Sequence, residues 1–126
     1  LLSPSADTEQ LALWFDQIVA MQATDGSLPE APESPAVRRS DIIAQALRVA
    51  VFLQRELGQP ARYSQACAGF AAALIDRVSA DGTLTFTPGA VAAPNIWCVM
   101  FAEQALRLHG AVLQDNALPF TAEDIV

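Results

Sequence analysis

Basic residues are scarce in this chain, and histidine is nearly absent. Seven Lys and Arg stand against fourteen Asp and Glu, for a net charge of −7. Nucleic-acid binding needs a basic footprint to displace counterions from phosphates, and none is present. An anionic membrane surface is disfavoured for the same reason. His109 is the one histidine, Cys67 and Cys98 are the two cysteines, and no CxxC or HxxxH spacing occurs. A zinc site built from this chain alone is therefore not expected. The cysteines lie far apart in apolar segments and read as buried thiols rather than a disulfide. No cofactor is expected, because the phosphate loop, the dinucleotide fingerprint and the nucleophile elbow are all missing. Long apolar runs are missing too. Ala44–Leu53 is broken by Gln45 and Arg48 and falls short of the ~20 residues a membrane span needs. Leu1-Leu2-Ser3-Pro4 has no basic leader and no initiator Met. A cytoplasmic location and a cut or processed beginning are the expectations.

What is present is apolar residue, in quantity. The hydrophobic fraction is 52% and the mean hydropathy +0.29, above the ~45–50% apolar content of an average domain. A single domain of 126 residues has a high surface-to-volume ratio and struggles to hide that much apolar surface alone. Further hairpins upstream or self-association would supply the cover. The negative charge itself serves solubility.

The chain also says nearly the same thing twice. Asp25-Gly26-Ser27-Leu28 is answered by Asp81-Gly82-Thr83-Leu84, 56 residues on; Gln45-Ala46-Leu47-Arg48 is answered by Gln104-Ala105-Leu106-Arg107, 59 residues on. A period of this size signals stacked supersecondary units. Both copies run apolar helix, Asp-Gly turn, Pro-rich loop, second apolar helix.

The first helix is expected to start at a cap on Asp7 or Thr8, with Leu11, Trp14, Phe15, Ile18, Val19 and Met21 as its buried stripe. Asp25-Gly26 closes it. Residues 28–37 form a loop, given Pro29, Pro32 and Pro35. The second helix should take Ser40-Asp41 as cap and run to Leu57, where Gly58 and Pro60 stop it. It is apolar nearly all round, which implies burial on more than one side. The third should span 61–79 and the fourth Ile96–His109 under an Asn95 cap. A short extended stretch is expected at Thr85-Phe86-Thr87 and a last turn at 121–125. The reading is one all-α domain over 1–126, made of antiparallel helical hairpins over about 8–57 and 61–109 with a tail at 110–126. Trp14 aligns with Phe70, Ile18 with Leu74 and Ile42 with Phe101. Helices two and four are expected to form the buried, inner pair.

Repeated hairpins with an Asp-Gly-Ser turn resemble the α/α toroids, among them the six-hairpin glycosidases, the polysaccharide lyases and the terpenoid cyclases. Gln22-Ala23-Thr24-Asp25-Gly26-Ser27-Leu28 is similar to the Gln-x-x-Asp-Gly-Ser-Trp turn of the cyclase repeats, departing at Leu28. The second copy has Val78 in place of Gln22, and no Asp-x-Asp-Asp acid motif occurs. Ser40–Arg48 and Asn95–Leu106 look more like the inner helices of carbohydrate-active toroids. A closed toroid needs more hairpins than two, so the resemblance implies an end piece, C-terminal and inactive alone, of a hydrolase- or lyase-like protein with a saccharide ligand. Two alternatives stand beside it: a non-catalytic interaction module and an isoprenoid-handling toroid.

Toroid ligands sit at the N-terminal ends of inner helices. That directs attention to Glu30, Glu33, Arg38, Arg39, Ser40, Asp41, Asn95, Trp97 and Cys98. Asp41 is the candidate acid/base, or else a cap netted to Gln45 and Arg48. Glu30 or Glu33 would be its partner carboxyl. Arg38 and Arg39 could clamp an anion or simply lie in solvent. Trp97 could stack on a sugar or fill the core. Glu103 and Arg107 have the spacing of a surface ion pair. His109 would sit as a cation at a helix end.

Overall fold

The computed structural model describes residues 5–34, 38–87 and 95–114. Within them the chain is all-helical: α1 (Ala6–Val19), α2 (Ser40–Leu57), α3 (Ser64–Asp76) and α4 (Ile96–Leu113). Extended structure among the described residues amounts to two isolated bridges, Ala31 with Ser34 and Val78 with Leu84.

Helix starts differ from expectation where a nearer partner wins the polar side chain. α1 is capped by Ser5, not by Asp7 or Thr8: the Ser5 hydroxyl accepts from the Thr8 amide at 3.1 Å. Asp7 falls in the first turn, where it suits the positive end of the helix. α2 begins at Ser40, but neither Ser40 nor Asp41 caps it. Arg39 holds the cap position without a side-chain bond to the helix's first amides, and the Ser40 hydroxyl donates to the Thr85 carbonyl at 2.6 Å. Gly58 ends α2 at φ +61, the left-handed turn expected of it.

α3 is shorter than the pattern suggested. Pro60–Tyr63 form a turn, tied by the Ser64 hydroxyl to the Pro60 carbonyl at 2.6 Å. Arg77 and Val78 leave the helix to join the next turn. α4 is capped by Asn95, which accepts from the Cys98 amide at 3.2 Å. It runs past His109 and Gly110 to Leu113. An interior glycine costs a helix only about 1 kcal/mol, which packing readily offsets. His109 is therefore a buried side chain inside the helix, not a cation at its end, and burial lowers its pKa. The turn expected at 121–125 lies outside the described residues.

α2 is the hub, packing most heavily on α4 and then on α3. Ile43, Ala44, Leu47, Ala50, Val51 and Leu53 are fully enclosed. It runs antiparallel to α3: Ser40 at its start meets Arg77 at the end of α3 (2.9 Å), and Gln54 near its end meets Cys67 near the start (3.6 Å). Alanines at 66, 71 and 73 let α3 approach closely. A joint missed in the sequence ties α1 to the start of α3. The Tyr63 hydroxyl donates to Asp16 at 2.8 Å, Arg62 bridges the same carboxylate at 2.7 Å, and Tyr63 meets Phe15 edge to face at 5.3 Å. Burial and the bond to Asp16 push Tyr63 up to about 12.

Two expectations about burial are overturned. Only Ala12 and Phe15 of α1 are buried. Leu11, Trp14, Ile18 and Met21 of the expected stripe stay exposed, Trp14 at 60%, because none of the described helices covers that side. α4 is not a fully buried inner helix either: Ile96, Trp97, Val99, Met100 and Leu113 are exposed.

The two Asp-Gly turns are built alike. In the first, the Gly26 amide donates to the Ala23 carbonyl and the Ala23 amide to the Ser27 carbonyl, both at 2.9 Å; in the second, Gly82 and Ser79 make the matching bonds at 2.8 Å. Asp25 accepts from the Ser27 amide at 2.9 Å, and Asp81 from the Thr83 amide at 3.0 Å. Such Asx turns are what the short Asp side chain favours. The extended stretch expected at 85–87 reduces to the Val78–Leu84 bridge, with the Thr85 amide on the Arg77 carbonyl at 3.0 Å.

Candidate functional site

The N-terminal ends of α2 and α4 lie side by side, close enough for Asp41 and Ser40 to act on the Cys98 thiol. Here most of the candidates gather. Arg39 grips both oxygens of Asp41, through Nε at 3.1 Å and Nη2 at 2.8 Å, and holds Glu30 through Nη1 at 2.9 Å. Its guanidinium also lies 5.0 Å from the Phe86 ring centroid. Such a fork satisfies the Asp41 carboxylate bidentately. It also stands between Asp41 and Glu30, where a scissile glycosidic bond would have to lie. Glu33 is exposed in the 31–34 turn.

Asp41 is not netted to Gln45 and Arg48. Those two pair with each other at 2.8 Å, and the fully buried Arg48 lies 5.3 Å from the Phe101 ring. Asn95 is spent on its cap. Trp97 is 64% exposed and lies 6.2 Å from Phe101 at a 33° tilt. Glu103 and Arg107 form the expected surface pair at 3.2 Å, a contact worth under about 1 kcal/mol.

Arg38 takes part in a second polar cluster. Its Nη1 donates to the Ser27 hydroxyl at 3.0 Å, and Ser27 donates in turn to Asp25 at 2.6 Å. The bonds from the Ser27 hydroxyl and backbone amide to Asp25, then the nearby Arg38 and Arg77 charges, hold its carboxyl below the usual range. Arg77 is buried and donates to the Arg38 carbonyl at 2.6 Å and to the Ser40 hydroxyl at 2.9 Å. Burial lowers its pKa. A cavity of about 300 Å³ opens beside Asp25, Asp76 and Arg77. Sequence reasoning assigned Asp25 to the turn correctly and passed over Arg77. The available signal was an arginine directly after the Ala-rich, largely apolar stretch of α3.

The third feature is apolar. A groove of about 490 Å³ runs between α1 and α2, walled by Leu11, Trp14, Ile18, Ile42 and Val49, with Asp41 and Gln45 at its edge. A groove of this make-up can hold aliphatic or aromatic groups and offers little to orient a polar one.

Neither cysteine is activated as a nucleophile. Burial pushes Cys67 up to about 12 and raises Cys98 as well, so both thiols stay protonated and inert. No group of three or more His, Cys, Asp and Glu side chains is placed to hold a metal ion. No described helix is long and apolar enough to cross a membrane. No protein-family model, curated protein or solved structure matches the chain, so the toroid resemblance stands on the chain's own motifs.

Proposed function

We propose that this chain is a non-catalytic helical-hairpin module, of α/α-toroid type, that acts by binding protein through its apolar end faces. One observation carries the reading: Leu11, Trp14 and Ile18 project from α1 uncovered, over an apolar groove. Exposed patches of this kind mark interaction surfaces. The charged residues at the helix mouth serve each other instead of a ligand, since Arg39 binds Asp41 and Glu30 together.

A photo-crosslinking residue placed at position 14, and separately at 97, tests this in cells that make the protein. Covalent adducts to protein at position 14 are expected. Their absence, combined with normal expression, would sink the reading. The saccharide reading has Trp97 in its favour, exposed in the first turn of α4. It requires a change of tryptophan emission with uronic-acid oligosaccharides that Trp97→Ala removes. The isoprenoid reading has the α1–α2 groove, and requires a response to prenyl diphosphates alone.

A further inference from the structure

We propose that the apolar face of α1 is covered by the exposed flank of α4 from a second copy of this chain, head to tail. The inference rests on the module reading above and names the module's partner.

The internal seam between the two halves supplies the template. Across it α2 packs on α4 and on α3, which it meets at Ser40 and Gln54, with the buried Leu47 between them on the same stripe. The repeat registers, 56 for the first helix of each half and 59 for the second, carry each side of that seam to an end of the molecule. Cys67, Phe70 and Leu74, all buried on α3, map to Leu11, Trp14 and Ile18, all exposed on α1. The stripe Ser40, Leu47 and Gln54 maps to Val99, Leu106 and Leu113, of which Val99 is 42% and Leu113 73% exposed. The two ends are thus the two halves of one interface, seen unassembled.

Where the internal seam is polar, both ends have switched together. Arg77 bonds Ser40 and the backbone of Arg38 inside the molecule. The side chains matching Arg77 and Ser40 are Met21 on one face and Val99 on the other, both exposed and apolar. Gln54 against Cys67 becomes Leu113 against Leu11. Gln22, which reaches over α3 beside Gly69 to the Ala66 carbonyl, becomes Val78 against Leu13. Loss of polarity on one face alone would leave a buried hydrogen-bonding group stranded. Its loss on both faces at matching positions makes them fit each other. One contact does not carry over. Leu13 stands where Gly69 lets Gly26 close in, so the copy-to-copy seam is wider at that turn.

A head-to-tail contact uses different patches on its two sides, so it closes into a ring or grows into a chain. This geometry gives a sharp test on the purified 126-residue chain. Trp14→Glu disables the α1 face and Leu113→Glu the α4 face; both sites are exposed, and circular dichroism verifies the fold. By light scattering the unaltered chain is expected to assemble beyond one copy and each variant alone to be monomeric. An equimolar mixture should form a species of twice the chain mass through the one α1 face and one α4 face left intact. A monomeric unaltered chain, single variants that still assemble, or a mixture that stays monomeric would each overturn the proposal. Adducts at position 14 to a different protein, with a monomeric pure chain, would remove the second copy as partner and leave the module reading standing.

Discussion

Gly26 and Gly82 hold the same place in two turns of the same design, both at φ +86, yet they live in different surroundings. A Cβ added to Gly26 would stand 1.9 Å from the carbonyl oxygen of Gly69; one added to Gly82 would meet nothing within 4 Å. The local sequence fixes the turn, and the neighbour decides whether the glycine is also a packing residue. The same contrast separates the internal seam from the two ends throughout this molecule.

The sharpest way to break the comparison is to give both turns a methyl group. Gly26→Ala should cost more than about 3 kcal/mol, since it adds overlap with backbone to the left-handed penalty. Gly82→Ala should cost only about 1–2 kcal/mol, from the backbone conformation alone. Equal losses in urea unfolding would show that the Gly26–Gly69 approach does not constrain the fold. Next in size is Arg77→Leu, expected to lose about 2–3 kcal/mol by stranding the Arg38 carbonyl and removing a charged donor from Ser40. Its counterpart Met21→Arg, at an exposed site, should stay within about 0.5 kcal/mol. Gln22→Ala follows, at about 1–2 kcal/mol, because the Gly26 and Ala66 carbonyls lose their shared donor. Val78→Ala, in the matching position, should barely move the midpoint.

A further effect is one of pH. His109 has a lowered folded pKa because burial disfavours its charged form. The unfolded chain therefore takes up a proton first as pH falls below about 6.5. Stability is full above that value and declines below it, by at most about 1.4 kcal/mol per pH unit for one proton. His109→Leu should flatten the decline between pH 7 and pH 5. An unchanged slope would assign it to other groups.

Much of the helical order could be read because its signals are local. Asn95 capping α4, Gly58 ending α2 and the paired Asp-Gly turns each depend on residues within a few positions. What could not be read depends on what lies across the fold. Ser40 looks like a cap until Thr85 arrives to take its hydroxyl. The α1 stripe of Leu11, Trp14 and Ile18 has the spacing of a buried face, and periodicity cannot say whether a cover exists. Arg77 and the Asp16–Tyr63–Arg62 joint were invisible because their partners lie more than thirty-five residues away.

The buried thiols have a use that owes nothing to chemistry in the cell. Cys67 is 1% exposed and held protonated by burial at neutral pH, so a thiol reagent reaches it only when α3 lifts from α2. Its labelling rate against denaturant is then a clock for the opening of the core. Cys98 keeps a second clock at the mouth of α4. Comparing the two would show whether α3 and α4 leave α2 together or one at a time.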